Sequence, residues 1–223
     1  MGMVITIDGP AASGKSTVSR ELASRLGWQW VSTGAFYRGL GYAALHSNIN
    51  ITDVKALTEL AHSNEWSVRM ANSRTQVFFK NNEVTDDIFG EDVGNIASKI
   101  SHYPEVRKAL LEAQRNCSVG PQGLVAEGRD CGTVVFPEAQ AKIYLTASSE
   151  HRAARRAAEL GLDQTETQEA QKVRDQQDST RKAAPLQVPE KALVVDTTEM
   201  ALDEVVNKVE LFVRSKMNST ETI

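Results

Sequence analysis

Gly9-Pro10-Ala11-Ala12-Ser13-Gly14-Lys15-Ser16 matches the phosphate-cradling pattern G-x-x-x-x-G-K-[ST] at every fixed position. Val4-Ile5-Thr6-Ile7 just before it reads as a buried strand. Val18, Leu22, Ala23 and Leu26 just after it share one helical face that stops at Gly27. This strand, loop and helix order points backbone N–H groups and the positive end of a helix at phosphate oxygens. Lys15 is placed to reach the outer phosphates and Ser16 to hold Mg²⁺. Gly9 and Gly14 are expected where a Cβ would block the turn or the phosphate. The candidate cradle thus runs through Gly9, Pro10, Ala11, Ala12, Ser13, Gly14, Lys15, Ser16 and Thr17.

Working outward, four more short apolar runs follow, at Trp28 to Val31, Leu124 to Ala126, Lys142 to Leu145 and Leu193 to Val195. Helical faces lie between them: Phe36, Leu40, Ala43 and Ala44; Val106, Ala109, Leu110 and Ala113, with Pro104 in the first turn; and Leu202, Val205, Val206, Val209 and Phe212. The alternation predicts an α/β fold with a five-stranded parallel sheet flanked by helices. One segment departs from it. Trp66 to Met70, Thr75 to Lys80 and Glu83 to Thr85 read as a small antiparallel insert with turns at Ala71-Asn72-Ser73 and Asn81-Asn82. Gly161 to Gln171 is polar and lies between two arginine-bearing helices, so it is expected to be a mobile piece. Asn218 to Ile223 are expected to fray.

The 223 residues are 41% hydrophobic and 24% charged, ordinary values for one globular domain with insertions. A formal charge of -4 argues against nucleic acid or an anionic membrane as partner, so any basic site must be local. Cys117 and Cys131 form no C-x-x-C pair, and no apolar run is long enough to span a bilayer. The expected location is a reducing cytoplasm, and the expected state a monomer. Met1-Gly2-Met3-Val4-Ile5-Thr6 fits an N-myristoylation pattern, but it runs straight into the first strand, and Met3 is an alternative start. The four histidines show no ligand spacing, so no structural metal is expected.

A phosphate loop serves hydrolases and kinases alike, and the arginines separate the two. Ser32-Thr33-Gly34-Ala35-Phe36-Tyr37-Arg38 follows the second strand and Glu127-Gly128-Arg129-Asp130 the third, both at the sheet edge where open α/β folds bind ligands. Arginine forks there suit bidentate phosphate binding. Arg152, Arg155 and Arg156 fall within one helical turn, while Arg174, Asp178 and Arg181 share a later helical face. The alternative is a solvated surface, with Arg155–Glu159 and Arg174–Asp178 as i,i+4 pairs worth only about 0.3–0.5 kcal/mol each.

Taken in order, these residues resemble the bacterial cytidylate kinases of the nucleoside monophosphate kinase group. The matching motifs are I-D-G-P-x-x-S-G-K-S at the start, T-G-A-F-Y-R after the second strand and G-R-D-x-G-T-V-V-F-P at Gly128 to Pro137. A-S-S-E-x-R-A-x-R-R at Ala147 to Arg156 and R-D-x-x-D-x-x-R at Arg174 to Arg181 complete them. The resemblance implies a single P-loop kinase domain over 1–223, with a monophosphate-binding subdomain at 38–105, its β insert at 66–85 and a helical lid at 151–171. It implies transfer of the γ-phosphoryl group of ATP to CMP or dCMP with Mg²⁺. Lys15, Arg38, Arg129, Arg152, Arg156 and Arg174 would carry the reaction, with Arg152 and Arg156 as the arginines that close the lid, and Arg38 with Arg129 would hold the monophosphate. Thr33, Ser98, Arg107 and Arg181 would surround the cytosine, Arg174 and Asp178 the sugar, with Tyr37 and Asp130 nearby.

Three positions depart from the common family wording: Ser32 and Glu127 stand where aspartates are frequent, and Cys131 where a larger apolar residue is. Cys131 reads as a buried filler, although Arg129 nearby would lower its pKa. The rival readings are a P-loop kinase for AMP, UMP or shikimate, a nucleotide-switched GTPase or ATPase, and a non-catalytic nucleotide-binding module. For the switch, Asn207-Lys208-Val209-Glu210 is near N-K-x-D but lies inside the last amphipathic helix, and no D-x-x-G follows the third strand.

Overall fold

A computed structural model describes residues 2–71 and 74–220 of the chain. In chain order the first half contains β1 (Met3–Asp8), α1 (Lys15–Leu26), β2 (Gln29–Ser32), α2 (Gly34–His46), α3 (Val54–Ala61), β3 (Trp66–Met70), β4 (Thr75–Phe79) and β5 (Asn82–Glu83). The second half contains α4 (Glu91–Ile100), α5 (Pro104–Asn116), β6 (Gly123–Gly128), β7 (Ala141–Thr146), α6 (Ser149–Leu160), α7 (Gln164–Thr180), β8 (Leu193–Asp196) and α8 (Leu202–Thr220).

Five strands form one parallel sheet in the order β2-β6-β1-β7-β8. Neighbouring residues on these strands serve opposite cores. Val4, Val31, Leu124 and Ala126 pack with α2, α3 and α5, while Ile5, Ile7, Trp30, Val125, Ile143 and Leu145 pack with α1 and α8. A sheet covered on both faces needs apolar residues at consecutive positions, which is why its strands read as unbroken apolar runs. β1 lies in the middle, so the loop after Asp8 opens at the carboxyl edge between β6 and β7.

β3, β4 and β5 form the antiparallel insert, packed on α2. Its second turn falls one residue earlier than the sequence suggests. Lys80 and Asn81 both have positive φ, at 47° and 68°, between the paired Phe79 and Asn82. That is the hairpin geometry in which both loop residues are left-handed. β5 is correspondingly short, and Thr85 joins by its side chain, accepting the Val77 N–H at 3.0 Å. Asn72 and Ser73 of the first expected turn lie outside the described residues.

The polar stretch before residue 171 is a helix start. Asp163 accepts from Thr165 N at 2.8 Å and Glu166 N at 3.1 Å, capping α7. Thr167 and Gln171 are buried, and Gln171 Nε2 donates to Arg152 O at 3.3 Å. The segment lacks an apolar stripe because it packs on α6 through polar groups. α8 continues through Asn218 to Thr220, positions expected to fray, and 221–223 lie outside the described residues. Among the described residues no helix is long and apolar enough to cross a membrane.

Candidate active site

The phosphate loop leaves β1 at Gly9, whose φ of 151° and lack of Cβ both matter: a Cβ would stand 2.0 Å from Leu145 O. Gly14, at φ 87°, caps α1 with open space around it, so its requirement is conformational. Lys15 is buried, and its Nζ donates to Pro10 O at 2.6 Å. Burial first, and Arg129 second, pull the Lys15 ammonium down to about 7. Ser16 Oγ donates to Glu127 Oε1 at 3.1 Å, which ties α1 to the end of β6. The buried Ser13 hydroxyl has no hydrogen-bond partner.

Beside this loop lies a cavity of about 270 Å³. Six loop residues line it, Ala11, Ala12, Gly14, Lys15, Ser16 and Thr17. So do Thr33, Tyr37, Arg38, Ser98, Arg107, Arg129, Asp130, Arg156, Arg174, Asp178 and Arg181. Gly9, Pro10 and Ser13 stand behind the lining. So does Arg152, whose buried guanidinium bonds Asp175 at 2.6 Å, Ala147 O at 3.1 Å and Ala11 O at 3.2 Å. It joins α6 and α7 to the phosphate loop. Arg155 does not pair with Glu159. It donates to Thr197 Oγ1 at 3.0 Å and Thr197 O at 2.6 Å, while Arg156 takes Glu159 at 3.3 Å.

The cavity has two electrostatic ends. At one, charges alternate. Arg107 pairs with Asp130, and Arg181 lies 3.8 Å from both Asp130 and Asp178. Arg129 Nε then donates to Asp178 Oδ2 at 2.8 Å. Burial favours the neutral acid at Asp178, yet Arg129 and Arg181 outweigh it and hold the carboxyl below its ordinary value. Arg181 Nη2 is buried without a hydrogen bond. Arg107 also lies 5.4 Å above the ring of Tyr37, whose hydroxyl burial pushes up to about 12. Ser98 Oγ donates to Gln177 at 3.2 Å, linking α4 to α7.

The other end is cationic. Arg38 donates only to backbone carbonyls, Ile88 O at 2.7 Å and Gly90 O at 3.4 Å. Burial, then Arg174, Arg156 and Arg129, bring it down to about 10. Arg174 forms no ion pair with Asp178 or any other described residue, and burial followed by Arg129 lowers it too. These guanidiniums depress one another beside the phosphate loop, an arrangement whose charge suits an anion.

Cys131 is the buried filler expected, and the solvated-surface alternative for the late arginines does not hold. Cys131 is fully buried against Thr33 Oγ1, and burial with Asp8 and Asp130 pushes its thiol well up instead of down. The i,i+4 pairing of Arg174 with Asp178 gives way to Arg129–Asp178. Sequence reasoning also passed over Asp8, Gln114, Asp175 and Gln177. Only Asp8 carried a signal, its place directly before the phosphate loop. Gln114 donates to Thr33 O at 3.3 Å across 81 residues, a relation no spacing encodes.

Comparison with known proteins agrees with this geometry. The family model described as cytidylate kinase matches residues 5–215. A cytidylate kinase of Bdellovibrio bacteriovorus is 71% identical over 217 residues, covering 97% of this chain and 100% of its own length. One of Colwellia psychrerythraea is 43% identical, covering 96% and 97%. Among solved structures, a gluconokinase from Sinorhizobium meliloti covers 100% of this chain and 98% of its own at a TM-score of 0.53 and 15% identity, a likeness of fold alone. With a family model across almost the whole chain and relatives matched end to end, this chain belongs to the cytidylate kinase family.

Proposed function

We propose that the chain transfers the γ-phosphoryl group of ATP to CMP or dCMP, giving ADP and CDP or dCDP. The observation that carries this is the cavity's charge layout: an uncompensated arginine group beside the phosphate loop and a neutralised arginine–aspartate group beyond it. The first suits phosphate, the second a base and sugar that carry no charge.

In this reading the backbone amides of Ala11 to Thr17 and the Lys15 ammonium hold the ATP phosphates, with Gly9 and Pro10 shaping the loop, and Arg38 and Arg129 hold the acceptor's phosphate. Arg156 and Arg174 face the charge that develops between donor and acceptor. Thr33, Ser98, Arg107 and Arg181 meet the cytosine, while Tyr37 and Asp130 set those arginines and Asp178 takes the sugar. The unbonded Arg181 Nη2 supports a ligand acceptor there. Arg152 and Arg156 belong to a lid, 151–171, whose closure excludes water so that ATP is not hydrolysed. The Ser16 hydroxyl and the Glu127 carboxylate beside it are hard oxygen donors that fit Mg²⁺. Bound there with the nucleotide, Mg²⁺ would supply charge neutralisation for the transfer. Two free thiols accord with a reducing cytoplasm, and we take the working state as a monomer, which sedimentation checks.

The test is coupled ADP release from Mg-ATP with CMP, dCMP, UMP, AMP, shikimate or no acceptor, repeated for Arg181→Ala. Turnover that requires CMP or dCMP and collapses in the variant is the expected result. Preference for AMP or shikimate, or ADP release without an acceptor, would reject the acceptor assignment and keep the phosphate loop.

A further inference from the structure

Arg129 and Asp130 begin a connection that continues as one wide helical turn, Cys131–Val135, closed by Phe136 N→Cys131 O at 2.7 Å and Val135 N→Asp130 O at 3.2 Å. Such turns are isolated and intrinsically weak. This one is held at both ends. Asp8, the last residue of β1, is fully buried and splits its carboxylate between the two first amides: Oδ1 accepts from Cys131 N at 2.8 Å and Oδ2 from Gly132 N at 2.7 Å. A Cβ on Gly132 would stand 3.2 Å from Asp8 Oδ2 and 2.8 Å from Thr6 Oγ1, so this approach needs glycine. At the far end Arg115, on α5, donates Nε to Val135 O and Nη2 to Val134 O, both at 2.9 Å.

An anion thus meets the amide end of the turn and a cation its carbonyl end, the arrangement that complements a helix dipole. Asp8 is placed there at a cost, since burial, with Asp130 adding to it, pushes its carboxyl up to about 6 despite the two amides. Arg115 is exposed and has no carboxylate partner among the described residues, so its fork serves the turn alone. Neither residue lines the cavity. We propose that Asp8 and Arg115 are positioning residues that clamp the Cys131–Val135 turn from opposite ends and thereby set Arg129 and Asp130 against the phosphate loop. Because Asp8 ends the strand that delivers that loop, the clamp holds the donor and acceptor halves in one register. A displacement of about 1 Å is enough to lower a phosphoryl transfer about 10²-fold.

This inference rests on the acceptor assignment above, and the experiment separates the two. Arg115→Met, Arg115→Lys, Asp8→Asn and the Arg115→Met/Asp8→Asn double variant are compared for kcat, for KM with CMP and with ATP, and for amide exchange across 129–136. For Arg115→Met the expected result is KM for CMP raised about 10-fold with KM for ATP within about two-fold, and faster exchange confined to that segment. Arg115→Lys recovers part of the loss, and the double variant loses less than the product of the singles because both act on one turn. An unchanged KM for CMP with exchange like the wild type, or an equal rise in both KM values, overturns the clamp. Arg115 is exposed, so its variants keep the test open if Asp8→Asn does not fold. Were the wild type inactive toward CMP, the acceptor assignment would fail while the exchange measurement still decided the clamp.

Discussion

The two ends of the active-site cavity contain the same residue type in opposite electrostatic conditions. Arg107 and Arg181 interleave with Asp130 and Asp178, so their charge is spent inside the protein before any ligand arrives, while Arg129, bonded to Asp178, stands between the two ends. Among the described residues Arg38 and Arg174 have no carboxylate partner, and each is lowered by burial and by neighbouring arginines. The neutralised end can discriminate by hydrogen-bond geometry without attracting every anion. The cationic end holds repulsion in the free protein, which a phosphate bound as proposed would relieve. Stability and activity should therefore respond oppositely to mutation at the two ends.

The largest effect is expected at the cationic end: Arg38→Met lowers kcat with CMP about 10²–10³-fold, the range for removing one preorganised electrostatic contact. Steady-state rates at saturating ATP and CMP check this, and a variant within a few-fold of wild type would break the comparison. Next comes Asp130→Asn, which leaves two buried guanidiniums facing a neutral amide and is expected to cost about 3 kcal/mol of stability in chemical denaturation. If that variant is as stable as wild type, the alternating charges are not holding the fold.

Arg174→Met sharpens the contrast, because the same substitution that slows turnover is expected to stabilise the free protein by about 1 kcal/mol through relief of repulsion. A lower melting temperature would contradict it. The smallest effect concerns protons. With Lys15 brought down to about 7, much of it is uncharged at pH 8, and ATP phosphates favour the ammonium. Binding at pH 8 should then take up close to one proton, and ATP affinity should weaken by up to about tenfold per pH unit above 7. Calorimetry in two buffers of different ionisation enthalpy measures the uptake; a value of zero would mean that Lys15 keeps one protonation state throughout.

Legibility in the sequence followed distance along the chain. The phosphate loop is eight contiguous residues with the strand before and the helix after it, so pattern alone placed all three. The five parallel strands were visible because burial on both faces leaves unbroken apolar runs, and Leu193–Asp196 falls within a residue of the expected Leu193 to Val195. α7 was the hardest element, since it buries Thr167, Gln171 and Asp178 and shows no apolar face to count. The arginines were found by their place after strands, yet their partners were not. Arg129 and Asp178 are 49 residues apart, whereas a helical wheel shows only the local relation of Arg174 to Asp178.

By itself, then, the sequence determined the fold class, the nucleotide loop, the set of cationic residues at the carboxyl edge of the sheet and the family resemblance that named their acceptor. These depend on local conformation, on burial periodicity and on motif order, all written in the chain. Tertiary structure alone decided which arginines are paired with carboxylates and which are not. It also decided that Arg152 braces the phosphate loop from behind, and that Asp8 and Arg115 grip one turn from β1 and α5. Those outcomes depend on distances of a few ångströms between segments far apart in sequence, and electrostatic and hydrogen-bond energies are decided at that range.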